Sequence, residues 1–248
     1  MKNVPGIHIG TSGWSYKHWK GIYYPPQVKQ AAWLEYYAQS FSTSEINTSF
    51  YHLPKPATTE GWNKRVPADF MFCPKMSRYL THMKKLNDPE ESMEKFFDVF
   101  APLKRKLGPV LIQLPHFVPF NLEKAEHLYK VCKKKYAYYR FCMEVRHESW
   151  LTDESIDLMN KYNIAFVISQ SGTAFPYAEF VTASHVYVRF HGPGSLYASR
   201  YTIEQLTVFA EMFLKWKKEG RSVWAFFNND IGGHAITNAK ELKQMVNS

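Results

Sequence analysis

The chain has 248 residues, 45% of them apolar and 17% aromatic, with 31 Lys plus Arg against 22 Asp plus Glu for a formal charge of +9. This content excludes a disordered chain, which lacks the apolar surface to offset its ordering entropy. The length suits one α/β barrel of about 200–250 residues, with a core that needs neither disulfide nor metal, and the positive excess points to an acidic partner without identifying it.

Eight short apolar runs read as strands, at residues 7–10, 44–48, 70–74, 110–114, 141–145, 165–169, 186–191 and 223–228. Amphipathic segments between them read as helices. These lie at 31–39, 58–64, 89–106, 122–134 and 153–162 after the first five runs, and at 203–218 and 240–246 after the last two. The sixth connection carries at most a short helical turn. Asp88 before Pro89-Glu90-Glu91 has the pattern of an N-cap, a first-turn proline and first-turn acids. Asn121 and Thr202 are similar caps, and Gly220 is a stop for the helix before it. Alternating strands and helices imply a parallel sheet. Eight such units fill the arithmetic of a single (β/α)8 TIM barrel, a parallel eight-stranded barrel with outer helices, over residues 1–248. A doubly wound sheet would carry Gly-x-Gly-x-x-Gly after its first strand; here that turn reads Gly10-Thr11-Ser12-Gly13. No linker or repeat divides the chain.

The three cysteines, Cys73, Cys132 and Cys142, show no Cys-x-x-Cys spacing. They read as buried thiols of a reducing compartment. Met1-Lys2-Asn3-Val4-Pro5-Gly6 has no apolar h-region, so no signal peptide is expected. No stretch approaches the ~20 apolar residues of a membrane span. The expected setting is cytoplasmic, without a membrane partner.

Strand residues alternate faces, and in a barrel one face meets the helices while the other lines the interior. On the fifth strand Phe141, Met143 and Val145 are the helix-facing set, so Cys142, Glu144 and Arg146 point inward. On the seventh, Val186, Val188 and Phe190 face out while Tyr187, Arg189 and His191 face in. The same parity turns Glu45, Asn47 and Gln113 inward, with Lys75 ending the third strand and Asn228 the eighth. All these polar residues lie toward the C-terminal ends of their strands, the rim where barrel active sites are built. Charges there are costly unless paired or functional. A purely structural network, with Glu45 and Glu144 neutralised by Lys75, Arg146 and Arg189, is the alternative to chemistry.

At these residues the chain resembles the YecE-like proteins (domain of unknown function 72). The resemblance rests on Ile9-Gly10-Thr11-Ser12-Gly13-Trp14, Glu45 through Tyr51, Phe72 through Lys75 with Arg78, Thr81 and His82, and Gln113-Leu114-Pro115. It continues in Glu144 through Trp150, Val188-Arg189-Phe190-His191-Gly192, and Phe226-Phe227-Asn228-Asn229 with Asn238-Ala239. It covers essentially the whole chain. It implies a TIM barrel and no established biochemical activity. Relatives often place Asp at the end of the sixth strand, where this chain has Ser169-Gln170. They often place Arg and Trp after His-Gly, where it has Pro193-Gly194-Ser195.

Loops after the last two strands of such barrels often bind phosphate. Here they carry Gly192-Pro193-Gly194-Ser195 and Asp230-Ile231-Gly232-Gly233-His234. Glycine offers close backbone approach and unhindered N–H donors, although plain tight turns use glycine too. Arg146, Arg189, Lys75 and Arg78 suit a carboxylate or phosphate, and Arg189 with Lys75 is the expected clamp. Glu144, His191 and Glu45 are the candidate acid or base groups, with His147 and His82 as further candidates. A two-carboxylate glycosidase and a Schiff-base Lys75 are narrower alternatives. Asn47, Gln113, Asn228, Asn229, Trp14, Gly192 and Gly194 complete the expected substrate-binding set. No cofactor is expected, and no metal, because His-x-His and His-Glu-x-x-His are absent and arginines stand beside the acids.

Trp14, Tyr16, Trp19, Tyr23 and Tyr24 crowd the first βα loop and form either a stacking wall or loop packing. Lys84-Lys85, Lys104-Arg105-Lys106, Lys133-Lys134-Lys135 and Lys215-Lys217-Lys218 lie on or beside helices as solvated faces, or as a nucleic-acid footprint. The leading expectation is an enzyme acting on a small anionic molecule at the rim by acid/base chemistry. The alternatives are a nucleic-acid-binding or repair-nuclease-like protein and a noncatalytic ligand-binding barrel. The oligomeric state is left open.

Overall fold

A computed structural model describes residues 6–247. The leader expectation therefore falls mostly on residues 1–5, outside the described residues. Eight strands form one parallel sheet: β1 (Ile7–Thr11), β2 (Thr43–Ile46), β3 (Met71–Pro74), β4 (Val110–Gln113), β5 (Phe141–Glu144), β6 (Ala165–Gln170), β7 (His185–Phe190) and β8 (Ser222–Phe227). Their order is β3-β2-β1-β8-β7-β6-β5-β4. The two ends meet through isolated bridges, Phe72 to Leu107 and Lys75 to Leu111, with Met76 N–H donating to the Leu111 carbonyl at 2.8 Å. The result is a nearly closed TIM barrel, as its sequence implies, with its thinnest pairing between β3 and β4.

The helices are α1 (Trp33–Ala38), α2 (Thr48–Tyr51), α3 (Pro56–Arg65), α4 (Pro89–Phe100), α5 (Leu122–Lys135), α6 (Asp153–Tyr162), α7 (Ile203–Lys218) and α8 (His234–Met245). Alternate strand residues meet them: Val110, Ile112, Phe141, Met143, Val186, Val188 and Phe190 belong to the large outer core. The opposite faces form a separate apolar plug that includes Cys73, Leu111, Cys142, Val167, Tyr187, Trp224 and Phe226. Two residues further along the strands, the period-2 pleat brings Gln113, Glu144, Ser169 and Arg189 onto the same interior face. The ladder sets Gln113 beside Glu144 and Ser169 beside Arg189. The polar residues thus form one interior layer on top of an apolar plug, at the C-terminal end of the strands.

The β1–β2 join also bears on the site. A Cβ on Gly10 would come within 2.2 Å of the Thr43 carbonyl oxygen, so only glycine fits there. The Tyr37 hydroxyl accepts from Thr11 N–H at 2.9 Å and donates to the Thr43 carbonyl at 3.0 Å, bridging the two strands. This join carries Ser12 and Glu45 to the rim.

Several local expectations need correction. Thr48 begins α2 rather than ending β2. The segment 89–106 is not one helix: α4 stops at Phe100 and a 3-10 turn, Ala101–Lys106, follows, because Pro102 has no N–H to continue the ladder. The segment 171–184 contains no helix at all. The last helix starts at His234, not residue 240, after Gly233 reverses the chain at φ 75°. Asp88 does not cap α4: it has φ 43° and no side-chain capping bond. Asn121 caps α5, and Thr202 forms a full capping box with Gln205 on α7.

Candidate site at the barrel rim

The polar layer is organised around one buried guanidinium. Arg189 on β7 donates Nε to Glu45 Oε1 at 2.9 Å and Nη2 to Glu45 Oε2 at 3.0 Å, a bidentate pair. Its Nη1 donates to Glu144 Oε2 at 2.6 Å. Glu45 accepts further bonds from Tyr187 Oη at 2.8 Å and from the Ser12 hydroxyl. Glu144 Oε1 accepts from Arg146 Nη2 at 2.7 Å and Nε at 3.1 Å. Both carboxylates are fully buried, and Arg189 is 2% exposed. Burial alone would raise the Glu144 carboxyl, but Arg189 and Arg146 override it and hold it well below the usual carboxylate range. Burial likewise opposes the charge on Arg189, and Glu144 and Glu45 outweigh it, keeping the guanidinium charged.

Above this network opens a cavity of about 760 Å³. Asn47, Lys75, Gln113, Arg146, Arg189 and Asn228 line it, with Phe50, Tyr51, His82, His116, Phe117, Phe175, Tyr197 and Asp230. Six of the expected site residues, with His82 of the further acid–base candidates, therefore meet in one space. Lys75 Nζ donates to Gln113 Oε1 at 2.8 Å and sits 4.0 Å from the centre of the Phe50 ring. Burial, then Arg189, lowers its ammonium to about 7, with Glu144 opposing the shift. The Arg146 guanidinium sits over the Phe175 ring, 3.6 Å from its centre. Burial, then Lys75, Arg78 and Arg146, lowers His82 to about 4, a sign of positive potential at the mouth.

The other expected residues are placed differently. Glu45 and Glu144 lie beneath the cavity, sealed by arginines. His191 is fully buried beside them, its Nε2 3.7 Å from Glu144 Oε1 and without a hydrogen-bond partner, while Asn228 Nδ2 and His191 Nδ1 are 3.1 Å apart. Burial, with Arg189 and Arg146 adding to it, lowers the imidazole below its ordinary value against the opposing pull of Glu144. The expected clamp of Arg189 with Lys75 does not take that form, because Arg189 commits three donors to carboxylates. Nor are Gly192 and Gly194 an open anion nest: Gly192 N–H donates to Tyr201 Oη at 2.9 Å and Gly194 N–H to Ser199 Oγ at 3.1 Å. Gly192 is needed for its φ of 106° and because a Cβ would meet the Ser195 carbonyl oxygen at 2.6 Å. Asn229 turns away to Ser199 and Asn238. Arg78 is exposed beside the mouth and does not line the cavity. His147 bonds its own loop at Ser149. Among the described residues, no three His, Cys, Asp or Glu side chains cluster as metal ligands.

Trp14 lines a second space of about 370 Å³, edge-on to Trp62 at 5.4 Å. Trp19 and Tyr24 are buried, and Tyr16 bonds the Ser12 carbonyl. The first loop's aromatic residues are thus largely packing. The exposed rings at the rim include Tyr51, Tyr79 and Phe117. Their neighbour Phe175, which lies under the Arg146 guanidinium, escaped sequence reasoning because its loop has no periodicity. Ser12 and Tyr187 were also missed as Glu45 partners, although strand parity had already turned Tyr187 inward.

Barrel helices return antiparallel to their strands, so their C-terminal ends lie at the face opposite the rim. Lys133–Lys135 and Lys215–Lys218 end α5 and α7, and Lys104–Lys106 follows α4. Of the four basic clusters, only Lys84-Lys85 lies near the cavity. No helix among the described residues is long and apolar enough to cross a membrane.

Residues 8–248 match the family model described as protein of unknown function DUF72. The chain is 24% identical over 270 residues to the UPF0759 protein YunF of Bacillus subtilis, covering 97% of this chain and 94% of that protein. It is 30% identical over 142 residues to the UPF0759 protein YecE of Escherichia coli K12, a match over 57% of this chain and 48% of that one. Among solved structures it is similar to a DUF72 family protein from Thermotoga maritima, with TM-score 0.87 and 29% identity over 98% of this chain and all of that one. A DUF72 family protein from Enterococcus faecalis shares the fold at TM-score 0.83.

Proposed function

Because this chain belongs to the DUF72 family, whose description carries no reaction, we propose from the rim chemistry that it is an enzyme acting on a small anionic molecule. One observation carries this reading. Glu45 and Glu144 are buried and neutralised from below by Arg189, while the cavity is lined by the cations Lys75 and Arg146 and by the Asn47 and Asn228 amides; the Asp230 carboxylate, also on the lining, lies 3.3 Å from His18 Nε2. Arg146 uses Nε and Nη2 on Glu144, and Nη1 has no hydrogen-bond partner among the described residues. A substrate carboxylate or phosphate would meet Nη1 and the Lys75 ammonium together. Glu144 then serves as the fixed counter-charge that orients Arg146, and Glu45 does the same for Arg189. Proton transfer falls to Lys75, whose ammonium titrates in the neutral range. Buried His191 is a positioning group behind Asn228.

A small-molecule partner is favoured over nucleic acid because three of the four basic clusters end or follow helices, at the face opposite the cavity. The test is calorimetric titration with inorganic phosphate at low salt. Binding that weakens about tenfold or more in Arg146→Ala, on the scale of one lost charge-assisted bond, supports the reading. Unchanged binding in that variant, or none in the wild type, would remove it.

A further inference from the structure

We propose that Lys75 is an imine-forming lysine, so that the substrate is a small aldehyde or ketone that also bears a carboxylate or phosphate. Only the second half of this statement rests on the anionic-substrate reading. The first half rests on how the amine is held. Lys75 follows β3 at the thin β3–β4 join and lines the cavity, its reach set by Gln113 at 2.8 Å. No carboxylate lies within ion-pair distance of Nζ among the described residues, since Glu45 and Glu144 are turned to Arg189 and Arg146. The Phe50 ring shields the amine from one side.

The surroundings favour a free amine near neutral pH. Burial disfavours the ammonium first, then Arg189 from β7 and Arg146 beyond β5; Glu144 from β5 and Glu45 from β2 oppose them. His82, from the turn after β3, is held neutral and adds no charge at pH 7. The balance brings the ammonium to about 7. That leaves on the order of a thousand times more free amine than at a surface lysine titrating near 10.4. Lower basicity makes each amine a weaker nucleophile, so the net advantage is smaller but still large.

The step balances as follows. The neutral Nζ attacks the carbonyl carbon, a C–N bond forms, and the carbonyl π pair moves to oxygen, which takes up a proton as the nitrogen gives one up. The proton first released by the ammonium then lets that oxygen leave as water while the nitrogen lone pair forms the C=N bond. Overall, one ammonium and one carbonyl compound give one protonated imine and one water. The substrate's own anion would face Arg146 and offset the new positive charge.

The experiment incubates the full chain at pH 7 with glyoxylate and sodium cyanoborohydride, which reduces the C=N bond by hydride to a stable secondary amine. Parallel samples contain glycolaldehyde, an uncharged two-carbon aldehyde. Peptide mass spectrometry reads the adduct rate at each lysine. The expected result is labelling of Lys75 about tenfold or more faster than surface lysines with both probes, and faster with glyoxylate than with glycolaldehyde. That preference should disappear in Arg146→Ala, and Lys75→Arg should lose this adduct alone. Labelling of Lys75 no faster than surface lysines with both probes overturns the imine, whatever phosphate binding shows. Fast labelling with equal rates for the two aldehydes keeps the imine and overturns the anionic substrate class. The comparison within the wild-type protein requires no variant to fold.

Discussion

Lys75 Nζ donates to Gln113 Oε1 at 2.8 Å across the join where β3 and β4 are held by isolated bridges. The bond ties a cavity-lining cation to the barrel's thinnest seam. Removing the acceptor in Gln113→Ala should cost about 0.5–1.5 kcal/mol. At this chain length that is a fall in melting temperature of about 2–4 °C per kcal/mol. An unchanged melting temperature would mean that the bond does not tighten the seam.

The same lysine should leave a signature in alkaline stability. Its folded pKa of about 7 lies below the unfolded value near 10.4. Between those values the unfolded chain holds a proton that the folded chain does not, so this residue's contribution rises with pH across that window. Lys75→Met removes the titration. The variant should gain stability relative to the wild type at pH 6, and that gain should shrink toward pH 10. Urea midpoints at the two pH values make the comparison, and a constant difference would refute the shift.

Arg189 supports two buried carboxylates at once, so its loss leaves Glu45 without an ion partner and Glu144 with Arg146 alone. Arg189→Met should destabilise the fold by about 3–5 kcal/mol, the usual scale for breaking a buried pair. Adding Glu45→Gln and Glu144→Gln to the same chain should recover most of that loss, because the neutral amides no longer need a guanidinium. A single variant within 1 kcal/mol of wild type in urea unfolding would contradict this account.

In acid, stability should begin to fall near pH 6.5. Burial, with Arg140 adding to it, lowers His8 to about 4 and His185 to about 3. Their folded pKa values lie below the unfolded one, so as pH drops the unfolded chain gains protons that the folded chain refuses. Glu144 adds a second, lower phase: its depressed pKa gives stability that is present above the unfolded carboxylate range and lost as pH falls through the folded value. Denaturant midpoints between pH 7.5 and 4 should decline, and His185→Phe should flatten the upper part of the decline. A flat profile over that range would exclude the histidine contribution.

Two similar helix starts should respond differently. Thr202→Ala removes one half of a complete capping box and should cost about 1 kcal/mol. Asp88 makes no capping bond and sits at φ 43°, so Asp88→Gly should be neutral or stabilising because glycine relieves the left-handed strain. Equal losses in chemical denaturation would undo the distinction.

The barrel was legible because its signals are local and periodic. Runs such as Val110–Gln113 and Phe141–Glu144 alternate between a helix-facing and an interior face. That alternation alone placed Gln113, Glu144 and Arg189 inside the barrel, and the eightfold repetition specified the architecture. Asp88 misled because a cap needs a particular backbone conformation as well as the right residue. The start of α8 was set too late because the glycine pair before it reads equally well as loop.

Strand parity says which way a side chain points and nothing about what it meets. Arg189 and Glu144 both pointed inward in the sequence, which allowed one to be a clamp and the other a proton donor. Only closure of the barrel brought Glu45 on β2 across to Arg189 on β7, committed the guanidinium to the two acids, and left Lys75 and Arg146 facing the cavity. Likewise, the glycines after β7 were visible, but whether their N–H groups were free depended on Ser199 and Tyr201 folding back onto them. Composition and periodicity determined the barrel and the membership of its polar layer, because both depend on local backbone geometry. The division of that layer into supporting pairs and accessible groups was decided by tertiary structure, because charge pairing across a barrel depends on distances that no local pattern encodes.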